Sequence, residues 1–215
     1  MEIKAVIFDL DGVIVFTDQF HYQAWKKIAD EMGIYFDGEI NNRLRGVSRM
    51  DSLEIILERY EGDPLSQEKK EELAEQKNGI YRELLKTMTP ADVSGEVRDT
   101  LAALRQRGYK TALGSSSRNA KFILERVGLL EAFDEISDGT NITKSKPDPE
   151  VFLKAAEFLG EKPQHCLVVE DAEAGIEAGI AGGMQTAAIG EAVSCGKADY
   201  KLGQLSDLLG ILHEK

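Results

Sequence analysis

Hydrophobic and polar positions alternate in two different ways along this chain. KAVIFDLD is continuously apolar from Ala5 to Phe8 and then meets two carboxylates, which predicts a central strand of a parallel sheet, buried on both faces. From Asp18 to Glu31 the apolar positions fall at helical spacing, with Phe20, Ala24, Trp25, Ile28 and Met32 on one side. No strand pattern follows until about Met88; DSLEIILERY and QEKKEELAEQKNGIYRELLK read as further helices. After TPADVSG, strand and helix patterns alternate. VRDTLAALRQRG, NAKFILERVG, PDPEVFLKAAEFLG and AEAGIEAGIAGG read as helices, KTALGSS, FDEIS, CLVVED and MQTAAIG as strands, and SDLLGILHE as a short closing helix.

This order predicts an α/β fold: a doubly wound, Rossmann-like parallel-sheet core with a helical cap domain inserted after its first strand. The core is expected over residues 1–16 and 90–215 and the cap over 17–89. Such a core binds ligands at the carboxyl ends of its strands, and the cap is expected to cover that end.

Composition narrows the classes of partner. The 215 residues are 42% hydrophobic, enough for a substantial core, and the formal net charge of −12 argues against a surface built to grip nucleic acid or anionic lipid. Cys166 and Cys195 have no metal-site or redox spacing and are expected as reduced thiols. There is no 18-residue apolar span, and Glu2 stands where a secretory leader would be basic. A cytoplasmic protein is expected, without a membrane partner and, as the cap already closes the functional end, monomeric.

Candidate chemistry gathers at predicted strand ends. Asp9 and Asp11 follow the first strand, and Glu170 and Asp171 follow VV of a later one. Two strand ends of a parallel sheet can face one crevice, and close carboxylates repel unless a hard cation intervenes, so a site for Mg²⁺ built from all four is expected. The bland alternative makes each pair a turn or helix cap. GSSSRN, between a strand and a helix, can hold an anion through hydroxyls and N–H groups, and Lys146 before a Pro-opened helix can neutralise phosphate oxygens. Either Lys144 or Lys146, taken alone, is more often a solvated surface residue.

DLDGV, SSS, KPDPEVF and EDAEAG, in that order, resemble the four signature motifs of the haloacid dehalogenase superfamily. The resemblance spans nearly the whole chain. It implies phosphoryl transfer through an aspartyl phosphate with Mg²⁺, with Asp9 as nucleophile, Asp11 as general acid/base, Ser115 and Lys146 on the phosphate, and Asp171 with Glu170 on the metal side. The Asp at position 11 favours phosphate esters over carbon–halogen or carbon–phosphorus bonds.

Within the superfamily, HYQAWKKIA, RGVSRMDSLEIIL and EQKNGIYRELL resemble the cap of the β-phosphoglucomutases. These interconvert β-glucose 1-phosphate and glucose 6-phosphate through β-glucose 1,6-bisphosphate, which is both intermediate and activator. The resemblance implies a phosphorylated sugar as substrate, Arg49 on the phosphate distant from Asp9, and Gly46, Val47 and Ser48 lining the sugar site. It places Thr17, His21, Trp25 and Lys77 in the cap's substrate-binding set, the last three positioning Asp11 or supporting closure, and Ser117, Arg118 and Asn119 in the phosphate loop. Read without the resemblance, Arg49 serves equally as a surface salt-bridge partner, and His21 and Trp25, four apart on one helix, equally as cap packing. One departure stands out: DGVIVFTD carries Phe16 where the family usually has Asp, so apolar packing is expected to replace a polar hinge. A sugar-phosphate phosphatase of the same fold and a catalytically inactive phosphosugar-binding regulator are the alternatives.

Overall fold

The computed structural model describes residues 2–44 and 47–212. Along the chain, strand β1 (Ala5–Phe8) precedes four helices, α1 (Asp18–Glu31), α2 (Gly38–Asn42), α3 (Arg49–Leu57) and α4 (Gln67–Leu85). Strands and helices then alternate: α5 (Gly95–Gln106), β2 (Lys110–Gly114), α6 (Ala120–Val127), β3 (Glu135–Ser137), α7 (Glu150–Phe158), β4 (Cys166–Glu170), α8 (Glu173–Ala181), β5 (Gln185–Ala188), β6 (Tyr200–Lys201) and α9 (Leu208–Ile211). The chain divides into two compact units, residues 1–16 with 88–215 and residues 17–87.

Among the described residues the first unit holds one six-stranded parallel sheet in the order β3-β2-β1-β4-β5-β6. The order reverses at β1, which is flanked by β2 and β4, so the point where ligands gather in doubly wound sheets falls at the end of the first strand. Every residue of β1 is fully buried, as its unbroken apolar run requires. Ala5 and Ile7 face a cluster with Val151, Phe152 and Ala155 of α7 and Ala178 of α8. Val6 and Phe8 point the other way and are just as buried, Phe8 meeting Phe133 edge-on at 6.1 Å. The α/β core expected from the sequence is thus present, with β6 added: its two residues, Tyr200 and Lys201, are too short and too polar to register as a strand pattern.

The second unit is helical among its described residues and has its own core. Trp25 and Ile28 of α1 pack with Leu53 and Ile56 of α3 and Leu73 and Ala74 of α4. Ser48 and Ser66 cap α3 and α4 by accepting hydrogen bonds from the N–H groups of Asp51 and Lys69 at 3.2 Å each. Asp37 caps α2 in the same way, accepting from Ile40 N–H at 2.9 Å.

The expectation for Phe16 is corrected. Its ring is 70% exposed, so apolar packing does not take over from the missing carboxylate.

Candidate active site

Register places the acidic residues. Phe8 pairs with Val169 across β1 and β4, and Asp9 N–H donates to the Val169 carbonyl at 3.0 Å, so Asp9 and Glu170 leave adjacent strand ends side by side. Lys146, in the loop before α7, reaches between them: its Nζ donates to Asp9 Oδ1 at 2.5 Å and to Glu170 Oε1 at 2.6 Å. All three are almost fully buried. Below the ammonium lies the ring of Phe152, its centroid 4.6 Å from Nζ. Burial alone pulls the Lys146 amine down, but Asp9 and Glu170 together outweigh it and leave its pKa raised, so it remains charged.

Asp171 completes a group of three carboxylates, Asp9, Glu170 and Asp171, with one oxygen from each lying within 4.8 Å of the others. Burial, followed by the charges of Asp9 and Glu170, pushes the Asp171 carboxyl up to about 8. The Glu170 carboxyl is also pushed up by burial, with Lys146 opposing, while its Oε2 accepts from Ala172 N–H at 2.9 Å. Hard, anionic oxygens crowded against one another suit a divalent cation such as Mg²⁺, which relieves the repulsion that Lys146 only partly offsets. Asp11 lies outside this group, although its charge contributes to the rise at Asp171.

Two glycines make the crowding possible. A Cβ on Gly12 would stand 2.0 Å from Asp171 Oδ2, and the residue's φ of +87° already disfavours a side chain. A Cβ on Gly175, in the first turn of α8, would stand 1.9 Å from Glu170 Oε1. Gly12→Ala is therefore expected to displace Asp171 and lower turnover by roughly 10²-fold, with weaker Mg²⁺ binding in a metal titration. The spacing of DGV pointed to Gly12 as a turn. Gly175 and Phe152 were missed as site residues, because nothing in AEAG or PEVF marks a residue by what lies against it in space.

The anion loop is built on β2, whose Leu113 pairs with Phe8, bringing the ends of β1 and β2 together. Ser115, buried, donates its N–H to the Ser137 carbonyl at 3.0 Å, and its Oγ accepts from Ser117 N–H at 3.1 Å. The Ser117 Oγ in turn accepts from Asn119 N–H at 3.2 Å, and buried Asn119 precedes α6, while Arg118 is exposed. Gly139 holds the loop from beneath: its N–H donates to the Ser117 carbonyl at 3.1 Å, and a Cβ there would stand 2.4 Å from the Ser116 carbonyl.

The remaining candidates belong to the helical unit. Lys77 Nζ lies 2.8 Å from His21 Nδ1, 4.6 Å from the Tyr81 ring centre and 5.1 Å from that of Trp25. His21 stacks on Tyr81 at 4.1 Å, and Thr17 Oγ1 shares a hydrogen bond of 3.0 Å with the Tyr81 hydroxyl. Because an ammonium can only donate, His21 Nδ1 accepts and its proton sits on Nε2. Desolvation first, then the charges of Lys77 and Arg49, hold the His21 pKa well below 6.5. Arg49, the first residue of α3, contacts Glu75 and Asn78 on α4. Val47 is partly exposed and Ser48 donates its hydroxyl to Asp51 at 2.6 Å, whereas Gly46 lies outside the described residues.

A depressed histidine makes stability depend on pH with a defined sign. The unfolded chain binds the proton more tightly, so the contribution is present above 6.5 and is lost as pH falls below it toward the lowered folded value. Between pH 7 and pH 5 the wild type is expected to lose about 2–4 °C more in melting temperature than His21→Gln, as thermal melts at the two pH values would register.

The haloacid dehalogenase-like hydrolase family model matches residues 3–183. The chain belongs to this family. Haloacid dehalogenase-like relatives similar along its whole length include the β-phosphoglucomutase of Bacillus subtilis, 43% identical and matched over 99% of this chain and 95% of that protein. The phosphorylated carbohydrates phosphatase of Thermotoga maritima is 29% identical over 98% of this chain and 99% of its own. Among solved structures, the β-phosphoglucomutase of Clostridium difficile superimposes with a TM-score of 0.88 at 37% identity, covering 96% of this chain and 93% of that one. No helix among the described residues is long and apolar enough to cross a membrane. Cys166 and Cys195 are both free, and burial pushes the Cys166 thiol up to about 12.

Proposed function

We propose that this protein is a Mg²⁺-dependent β-phosphoglucomutase, interconverting β-glucose 1-phosphate and glucose 6-phosphate through β-glucose 1,6-bisphosphate. What carries the phosphoryl-transfer reading is the arrangement of Asp9, whose carboxylate is held at 2.5 Å by the buried Lys146 ammonium beside two further carboxylates. An anionic nucleophile can approach an anionic phosphate only where positive charge screens both. Lys146 supplies part of that charge from within the chain. A Mg²⁺ held by Asp9, Glu170 and Asp171, with Asp11 beside them, would supply the rest by neutralising phosphate oxygens. Preference for a mutase over a phosphatase is supported by the full-length likeness to the Bacillus subtilis enzyme and by Arg49, a cationic residue that can exchange its contact with Glu75 for a second phosphate.

The chain's own residues then divide the work. Phosphorylated Asp9 gives its phosphoryl group to O6 of β-glucose 1-phosphate as the P–O bond to the carboxylate breaks, and Asp11 takes the O6 proton. After the bisphosphate turns round, Asp9 attacks the phosphorus at C1, the bond from O1 to phosphorus breaks, and Asp11 returns its proton to O1. Ser115 and the loop to Asn119 hold the oxygens of the transferring group, and Arg49 the other phosphate. Thr17, His21, Trp25 and Lys77 order the helical unit for this step, with Val47 and Ser48 near the sugar. We take the unit of residues 17–87 as the cap domain of this enzyme, acting as a monomer in the cytoplasm.

Incubation with β-glucose 1-phosphate and a trace of the bisphosphate tests the reading. Glucose 6-phosphate without stoichiometric free phosphate is expected. Release of mainly free phosphate would instead establish the phosphatase, a reading favoured by the Thermotoga maritima relative.

A further inference from the structure

We infer that Glu75 is a specificity-setting residue whose carboxylate occupies Arg49 in place of the distal phosphate, keeping that phosphate's affinity low enough for the bisphosphate to let go and turn round. The inference rests on Arg49 as the distal-phosphate ligand and deepens that reading.

Arg49 Nη1 donates to Glu75 Oε2 at 3.2 Å and Nη2 to Asn78 Oδ1 at 3.0 Å. These two nitrogens form the planar fork with which a guanidinium grips a phosphate through two parallel hydrogen bonds. Asn78 Nδ2 also donates to Glu75 Oε1 at 3.3 Å, closing a triangle of three side chains. Glu75 and Asn78 are three residues apart on α4 and so share one face, opposite the first turn of α3.

The two partners differ in kind. Asn78 is neutral and orients the fork without altering its charge. Glu75 is anionic and its side chain is 73% exposed, against 26% for Arg49, so it is a loosely held ligand in water that a dianionic phosphate can displace. Until displaced it offsets the charge of Arg49, and after displacement its carboxylate still repels the phosphate beside it. A mutase has reason to keep such a competitor. Its intermediate binds by one phosphate and then by the other, and a distal site that never released would hold it in a single orientation.

Glu75→Gln removes the charge while keeping the length and the capacity to accept from Arg49. It is expected to lower KM for β-glucose 1-phosphate by about two- to fivefold, with kcat unchanged or reduced. Asn78→Ala is expected to raise KM, since the fork loses its orienting partner. Tightened binding is an effect that a merely structural residue would not produce. In Arg49→Ala, KM is expected to rise and the further change Glu75→Gln to lower it by less than it does in the wild type, since only the direct repulsion remains to be removed. If Arg49→Ala raises KM while Glu75→Gln leaves it unchanged or raises it, the role of Glu75 is overturned and that of Arg49 stands. If Arg49→Ala leaves KM unchanged, both roles fall.

Discussion

Asp9→Ala is expected to lose turnover of phosphorylated sugars by a factor on the order of 10⁴ to 10⁶, because no other group in the cluster can take the phosphoryl group in its place. Glu170 is engaged by Lys146 and by Ala172 N–H, and Asp171 is backed against Gly12. The change removes one of three crowded carboxylates, so the fold is expected to survive it. A melting temperature at or above that of the wild type, together with absent turnover, is the expected pair of results. Full activity in Asp9→Ala would refute the nucleophile assignment. A wild-type protein that binds phosphosugars yet never turns over would instead support the regulator.

Lys146→Met is expected to act on stability as well as on rate. The buried ammonium is shared by two buried carboxylates, and removing it leaves both uncompensated, at a cost of about 3–5 kcal/mol in metal-free protein. Turnover should fall by roughly 10³-fold as the phosphate loses a fixed positive charge. Denaturant unfolding with and without Mg²⁺ separates the two effects, since the ion is expected to restore much of the stability and little of the rate. Asp171 adds a pH dependence of defined sign. Its carboxyl is raised from an ordinary 3.8 to about 8, so its contribution is fully present below 3.8 and is lost as pH rises through 8. Metal-free protein is therefore expected to be less stable at pH 9 than at pH 6, and Mg²⁺ to narrow the difference.

Central strands were the most legible elements in the sequence, because double-sided burial leaves no room for polar residues in VIF or LVV. Helix α1 was equally plain from the spacing of Ala24, Trp25 and Ile28. The edge strand β6 was not, since an edge needs no apolar run, and α2, five residues opened by the Asp37 cap, is too short for a period. At the site, motif order singled out Asp9, Lys146, Glu170 and Asp171, while what allows them to crowd depends on neighbours distant in sequence. Gly175 reads as one more small residue of α8 until the Glu170 carboxylate is seen against it, and the ring of Phe152 is ordinary core until the Lys146 ammonium is found above it. Phe16 shows the opposite failure: substitution of an apolar residue suggested packing, and the ring is exposed.

The central place of β1 bears on synthesis. Ala5 pairs with Lys110 on one side and Cys166 on the other, so β1 must wait until residue 110 has been made before one edge is satisfied and until residue 166 before the other is. At about 5–20 residues per second that wait is on the order of ten seconds, during which the apolar AVIF segment lacks at least one of its two neighbours. Nascent chains halted before residue 166 would carry Asp9 with neither Glu170 nor Asp171 beside it, so the three-carboxylate cluster cannot assemble until β4 has been made.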